Sequence, residues 1–117
     1  MKKILSLSVL CVALTSASVT ASERAEQGWQ MIEQGAMVVD VRTPDEFADG
    51  HLANAVNYPL SDIDKYFANV DKSTPIVVYC RSGNRSGKAM DYLTSVGFSN
   101  VHNAGGLEEM REQKGAK

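Results

Sequence analysis

A chain of 117 residues has room for one domain. Its composition, 44% hydrophobic and 22% charged, excludes a disordered or fibrous protein. The formal net charge is −2, and Lys114 and Lys117 are too few for a basic tail, so neither nucleic acid nor an anionic membrane surface is an expected partner.

The first 21 residues read as a leader rather than as part of the fold. Lys2-Lys3 is a basic start, residues 4–14 form a mostly apolar run, and Val19-Thr20-Ala21 offers small residues at the cleavage positions. This predicts a secretory signal peptide, too short for a membrane span, removed after about Ala21. A single domain over 22–117 remains, 96 residues long (117 less 21), with a formal charge of −4 once Lys2 and Lys3 are gone. A chain of that size buries enough surface for one compact core. Cys11 departs with the leader; Leu10 precedes it, where a lipidation signal needs a small residue. Cys80 is then the one cysteine left, in a disulfide-permissive compartment. A leftover cysteine there points to a reactive thiol or an intermolecular bridge.

Residues 22–34 read as a helix, with Ala25, Trp29 and Ile32 at the 3.6-residue period and Gly35 as its stop. Residues 38–41 are apolar and β-branched, so they predict a buried strand. Thr43-Pro44-Asp45-Glu46 predicts a helix start, with Thr43 as cap, Pro44 at the first helical position and Glu46 closing a capping box. A weak second strand follows over 55–58, then a helix over 61–68 whose early acids suit the helix dipole. The central strand is 76–79. A helix over 86–96 carries Ala89, Met90, Leu93 and Val96 on one face and ends at Gly97. Residues 100–103 form a last short strand, and Gly105-Gly106 turns the chain into a terminal helix over 107–113. Strands alternating with helices on short connections predict an α/β fold. The sheet is parallel, of four to five strands, with helices on both faces. The pattern gives four strands, and a fifth is sought around 35–37 or in a segment read as loop.

The chain is organised around Cys80-Arg81-Ser82-Gly83-Asn84-Arg85-Ser86, between the central strand and the helix after it. In an open parallel sheet that turn lies at the carboxyl end of a strand, where such folds bind ligands. Backbone N–H groups of the turn and the helix N-terminus behind it make an anion site. The same positive surroundings lower a thiol pKa. The reading is a thiolate at the floor of an anion pocket.

That heptapeptide resembles the active-site loop of the rhodanese family of sulfurtransferases. Asp40-Val41-Arg42, Glu46-Phe47 and Gly50-His51-Leu52 stand where that family carries its upstream motifs, and the resemblance spans about 29–110. It implies a five-stranded parallel sheet, export to the periplasm as in the single-domain members with a leader, and sulfur transfer. Cys80 attacks the outer sulfur of thiosulfate and holds it as a persulfide. Cyanide, a thiol or a protein thiol then unloads it, in a ping-pong cycle. Backbone N–H groups from about Arg81 to Ser86 stabilise the persulfide anion. Gly83 permits the tight turn, Ser82 and Ser86 add hydroxyl donors, and Arg81 and Arg85 suit the forked grip on a sulfonate, or either instead pairs with Asp40 or Glu46 to hold the loop. Asn84 completes the substrate-binding loop. Asp40 supports the loop, and Arg42 and Glu46 are expected to form a local ion pair. His51 is expected to pack or hydrogen-bond rather than catalyse, and His102 has less support still. Asn57 and Tyr58 either border the pocket or fill the strand; Trp29 and the methionines are core. Leu107 stands where many relatives have tryptophan, which bears on terminal-helix packing and not on the chemistry.

Rival motifs fail. The segment 83–89 is one residue short of a phosphate-binding loop before Gly87-Lys88, and Ala89 replaces the required hydroxyl. One cysteine and two distant histidines make no metal site, and no cofactor is expected. Cysteine phosphatase and arsenate reductase loops resemble Cys, five residues, then Arg; here Cys80 and Arg85 enclose four, a tighter cradle that suits a small sulfur anion. Three functions are carried forward: the enzyme, a monomer with no stable membrane association; a persulfide carrier serving a protein thiol partner; and a non-catalytic, anion-binding, stress-associated module, against which an intact Cys80 argues.

Overall fold

A computed structural model of the protein describes residues 21–115; the expected leader lies outside them, except for Ala21. The elements in order are α1 (Ala21–Glu33), β1 (Met37–Asp40), α2 (Pro44–Ala48), β2 (Val56–Asn57), α3 (Ile63–Tyr66), β3 (Ile76–Cys80), α4 (Asn84–Ser95), β4 (Val101–Gly106) and α5 (Leu107–Gly115), with a 3-10 turn over Leu60–Asp62 before α3. The four strands form one parallel sheet in the order β2-β1-β3-β4. Among the described residues there is no fifth strand. Met37 pairs with Ile76, so the segment searched for a fifth strand opens β1 instead.

Side-chain alternation sorts the strands onto two faces. Val39, Val41, Ile76, Val78 and Cys80 face Ile63 and Phe67 and, from α4, Ala89 and Leu93. Val38, Val77 and Tyr79 face Ala25 of α1, Leu52, Ala104, and Leu107 and Met110 of α5. Helices therefore cover both faces, and β3 is buried along its whole length. The half-buried Trp29 is tied down as well, its indole N–H donating to the Met110 carbonyl at 2.7 Å.

The helix start at Thr43 has the geometry its sequence predicts: the Thr43 hydroxyl accepts from the Glu46 N–H, and the Glu46 carboxylate accepts from the Thr43 N–H at 3.0 Å. Two boundaries differ from the sequence reading in a way that shapes the site. Cys80 is the last residue of β3 rather than the first of a loop, and Gly105 and Gly106 lie inside β4 rather than in a turn. The β3–β4 register shifts between Val78 and Cys80, which brings Gly106 opposite Cys80. Because β2 lies on one side of β1 and β3 on the other, the order in which the strands are laid down reverses between β1 and β3. Ligands of open α/β sheets bind at the carboxyl ends of strands flanking such a point, here Asp40 and Cys80.

Candidate active site

Cys80 ends the buried central strand with 1% of its surface exposed. The chain then turns through Arg81 and Ser82 to Gly83, whose φ of +97° is the left-handed value glycine takes freely, and α4 begins at Asn84. This turn folds the backbone over the sulfur. Cys80 Sγ accepts from the Gly83 N–H at 3.1 Å and from the Ser86 N–H at 3.4 Å, and the Ser86 hydroxyl lies within reach of it at 3.4 Å. Burial pushes the thiol up; the Ser86 hydroxyl and the backbone N–H groups of Ser86, Ser82 and Gly83 outweigh it and hold the thiol below its ordinary value. The dipole of α4 acts in the same direction.

The loop is held from behind by residues the sequence reading did not single out. Asn103 of β4 donates from Nδ2 to the Gly83 carbonyl at 3.0 Å, while its Oδ1 accepts the Gly105 N–H at 3.0 Å. A carbonyl can only accept and an N–H only donate, so these partners fix the amide's orientation. Ser86 Oγ has a single proton, for which Asn103 Oδ1 at 2.7 Å and Cys80 Sγ at 3.4 Å are alternative acceptors. Arg24 of α1 grips both carboxylate oxygens of Glu109, Nε to Oε2 at 2.8 Å and Nη2 to Oε1 at 2.9 Å, and Nη2 also donates to the Ser82 carbonyl at 3.1 Å. Gly106 lies so close to the Arg81 carbonyl that a Cβ there would overlap it. The Gly105-Gly106 pair was the available signal, since glycine inside a strand marks close backbone approach. Nothing local marks Arg24, which lies 58 residues from Ser82.

Of the five charged candidates, four pair off as Asp40 with Arg42 and Glu46 with Arg85; the second pairing is the expected alternative to a sulfonate grip, and the first replaces the expected Arg42–Glu46 pair. Arg42 and Glu46 do not pair with each other. Asp40 is fully buried and binds Arg42 through Nε at 3.0 and 3.1 Å and Nη2 at 2.7 Å, and accepts the Arg42 backbone N–H at 2.9 Å. Arg42 also donates to the Gly50 carbonyl at 2.6 Å, and the Asn57 amide donates to the carbonyls of Asp40 and Arg42 at 3.1 and 2.9 Å. Glu46 instead takes a forked pair from Arg85, at 2.7 and 3.0 Å. Arg85 first, then the Thr43 N–H, hold the Glu46 carboxyl well below the usual carboxylate range, at about 2.

Arg81 is 79% exposed and reaches Glu46 only at 3.9 Å. Its guanidinium borders an open cavity of about 240 Å³, with Arg42, Glu46, Gly50, Leu107 and Arg111 among the other walls. Ser82 and Asn84 are exposed. His51 lies on the outside, stacked on Phe47 at 3.6 Å between ring centroids and bonded to the Phe47 carbonyl at 2.7 Å, in the packing role expected of it. His102 Nε2 contacts the Arg24 carbonyl at 2.7 Å. Among the described residues no cluster of His, Cys, Asp and Glu could hold a metal ion. No helix among them is long and apolar enough to cross a membrane.

The site is thus one buried sulfur, two backbone N–H groups and a shared hydroxyl around it, and an arginine-bordered opening beside it. Comparison with known proteins agrees with that chemistry. Residues 24–113 match the model of the rhodanese-like domain family. The chain is 36% identical over 78 residues to the thiosulfate sulfurtransferase PspE of Escherichia coli K12, covering 65% of this chain and 75% of that one. It is 38% identical over 87 residues to the thiosulfate sulfurtransferase GlpE of Pseudomonas entomophila, covering 74% and 80%. Among solved structures, a rhodanese from E. coli with bound anions superposes with a TM-score of 0.59 at 35% identity, covering 64% of this chain and 91% of that one. A rhodanese-related protein from Thermoplasma volcanium gives 0.67 at 30% identity, covering 76% and 88%. The chain belongs to the rhodanese-like domain family and is a sulfurtransferase.

Proposed function

We propose that the sulfur donor is thiosulfate and that the sulfur travels through a Cys80 persulfide. The observation that carries this reading is the convergence of the Gly83 N–H and the Ser86 N–H on Cys80 Sγ, with the Ser86 hydroxyl within reach of it. These donors favour an anion on sulfur, whether thiolate or persulfide. In the first half-reaction the Cys80 thiolate attacks the outer sulfur of thiosulfate. The new S–S bond forms as the old one breaks, and its electron pair leaves with sulfite. In the second, cyanide or a thiolate takes the outer sulfur, the Cys80 S–S bond breaks, and the thiolate returns. The cycle is ping-pong, with no net change at the enzyme.

The arginines have separate tasks in this scheme. Arg81 is only loosely tied and borders the open cavity, so it receives the sulfonate end of thiosulfate. Arg85 is committed to Glu46 and supports the loop, with the positive end of α4 and the Ser82 and Asn84 backbone completing the substrate-binding turn. Asp40 and Arg42 stiffen the adjacent strand end. The predicted leader over 1–21 makes the working protein a periplasmic domain of residues 22–117, acting as a monomer.

Intact mass spectrometry tests the cycle. Incubation with thiosulfate adds one sulfur, about 32 Da, which cyanide removes and which Cys80→Ala never gains. Absence of that gain while Cys80 remains alkylatable overturns thiosulfate as donor. A persulfide carrier is the second reading, favoured by the openness of the mouth at Arg81. It requires a thiol protein to be captured by Cys80→Ser and to accept sulfur from the loaded enzyme.

A further inference from the structure

We propose that Arg24 is a positioning residue for the Cys80 sulfur anion, acting through the Ser82–Gly83 peptide group. The inference rests on the reading of Cys80 as the sulfur-carrying nucleophile, but not on the identity of the donor.

The Ser82–Gly83 peptide group is gripped at both ends. Its oxygen accepts Arg24 Nη2 at 3.1 Å, and its N–H donates to Cys80 Sγ at 3.1 Å, the shortest of the three polar contacts with the sulfur. The C=O and N–H of a trans peptide point in opposite directions, so fixing the oxygen aims the hydrogen. No peptide bond among the described residues is cis. A hydrogen bond to the oxygen also polarises the group and strengthens its N–H as a donor.

This hold matters because the peptide adjoins Gly83. Glycine adopts either sign of φ at little cost, so rotation of the Ser82–Gly83 peptide away from the sulfur meets no side-chain barrier at that residue. Arg24 supplies the restraint that a Cβ cannot. Its guanidinium sits 2.7–3.0 Å from where a Gly83 Cβ would lie, so the glycine and the arginine are complementary parts of one arrangement.

Arginine is specifically suited to the task. Nε and one hydrogen of Nη2 engage the two oxygens of Glu109, and the second Nη2 hydrogen reaches Ser82. Lysine has no such fork. Glu109 is itself anchored by the Gly106 N–H at 3.2 Å, and the Arg24 backbone by His102. The positive charge also faces the sulfur: Cys80 is among the groups that raise the Arg24 pKa, and that attraction is mutual.

The test is the pH dependence of Cys80 alkylation by iodoacetamide, followed by intact mass without thiosulfate, on wild type, Arg24→Met, Arg24→Lys and Glu109→Gln. In Arg24→Met the alkylation curve moves to higher pH. The rate at pH 6 falls about tenfold, a loss equivalent to one charge-assisted hydrogen bond. With thiosulfate the same variant loses kcat while KM stays within about twofold, because Arg24 does not touch the substrate. Arg24→Lys restores part of the alkylation shift and less of the kcat. A folded Arg24→Met whose alkylation curve coincides with wild type overturns the proposal. Should Arg24→Met fail to fold, Glu109→Gln decides: it leaves the guanidinium present but unanchored, and must shift the curve in the same direction. A shifted curve in a protein that never gains sulfur from thiosulfate retains the positioning role and removes only the donor.

Discussion

Replacing Asp40 by alanine tests whether the strand end beneath the site is held by its buried ion pair. Asp40 is fully buried and the Arg42 side chain is 7% exposed, and the carboxylate accepts both side-chain and backbone N–H groups of Arg42. Asp40→Ala leaves a largely desolvated guanidinium with the Gly50 carbonyl and the face of the Tyr79 ring, 5.9 Å from its centre, in place of a carboxylate. Breaking one side of a buried pair costs about 3–5 kcal/mol. Set against about 5–15 kcal/mol for a whole domain, that is a large share. With a urea slope of about 1 kcal/mol per molar for a chain of this size, the midpoint falls by about 3–5 M. The protein's single tryptophan, Trp29, lies between α1 and α5 and reports unfolding by fluorescence. The companion variant Asp40→Leu with Arg42→Met removes both charges and refills the space, so it recovers most of the loss. A loss below about 1 kcal/mol for Asp40→Ala, or a double variant as weak as the single one, refutes the reasoning.

The other predictions concern the loop and its supports. Glu46 titrates at about 2 in the folded chain against an ordinary 4.5, so its pair with Arg85 contributes stability above pH 4.5 that is lost as pH falls toward 2. Glu46→Gln therefore costs about 1 kcal/mol at pH 7, discounted because the pair is partly exposed, and only a small part of that at pH 2, where the carboxylate is half protonated; thermal melts at both pH values check the difference. Gly106→Ala drives a methyl into the Arg81 carbonyl and displaces the loop. It is expected to lower kcat/KM by about 10²-fold with the circular dichroism spectrum retained. Ser86→Ala removes a hydroxyl for whose proton the sulfur competes with Asn103, worth at most about 1.5 kcal/mol to an anion, and slows iodoacetamide alkylation at pH 6 by up to about tenfold. An unchanged rate would show that the hydroxyl serves Asn103 alone.

The cysteine loop was legible because its signals are local: an apolar run, a thiol, a glycine and a helical period follow one another within twenty residues. The same holds for the capping box at Thr43. What failed were inferences that assumed a neighbour. Arg42 and Glu46 stand four apart, the spacing of a helical pair, but that rule needs both residues in one helix. Thr43 is the cap, so Arg42 precedes the helix and turns back to Asp40. Gly105 and Gly106 read as a turn because glycine commonly serves there. Here they continue the strand and permit contact with Arg81 and with the Arg24–Glu109 pair. Arg24 and Asn103 were invisible for another reason: each meets the loop only after the sheet has brought distant segments together.

The Arg24–Glu109 bond joins residues 85 apart in the chain. It closes a circuit running from the first helix, through every strand, to the last. Contacts of such wide sequence separation carry a high loop-closure cost and slow folding. Until α5 docks on α1, a chain with β3 already formed carries its cysteine under an untethered Ser82–Gly83 peptide. Chemical competence is then a property of the closed fold: Arg24 reaches the loop from one end of the domain while its anchor, Glu109, comes from the other.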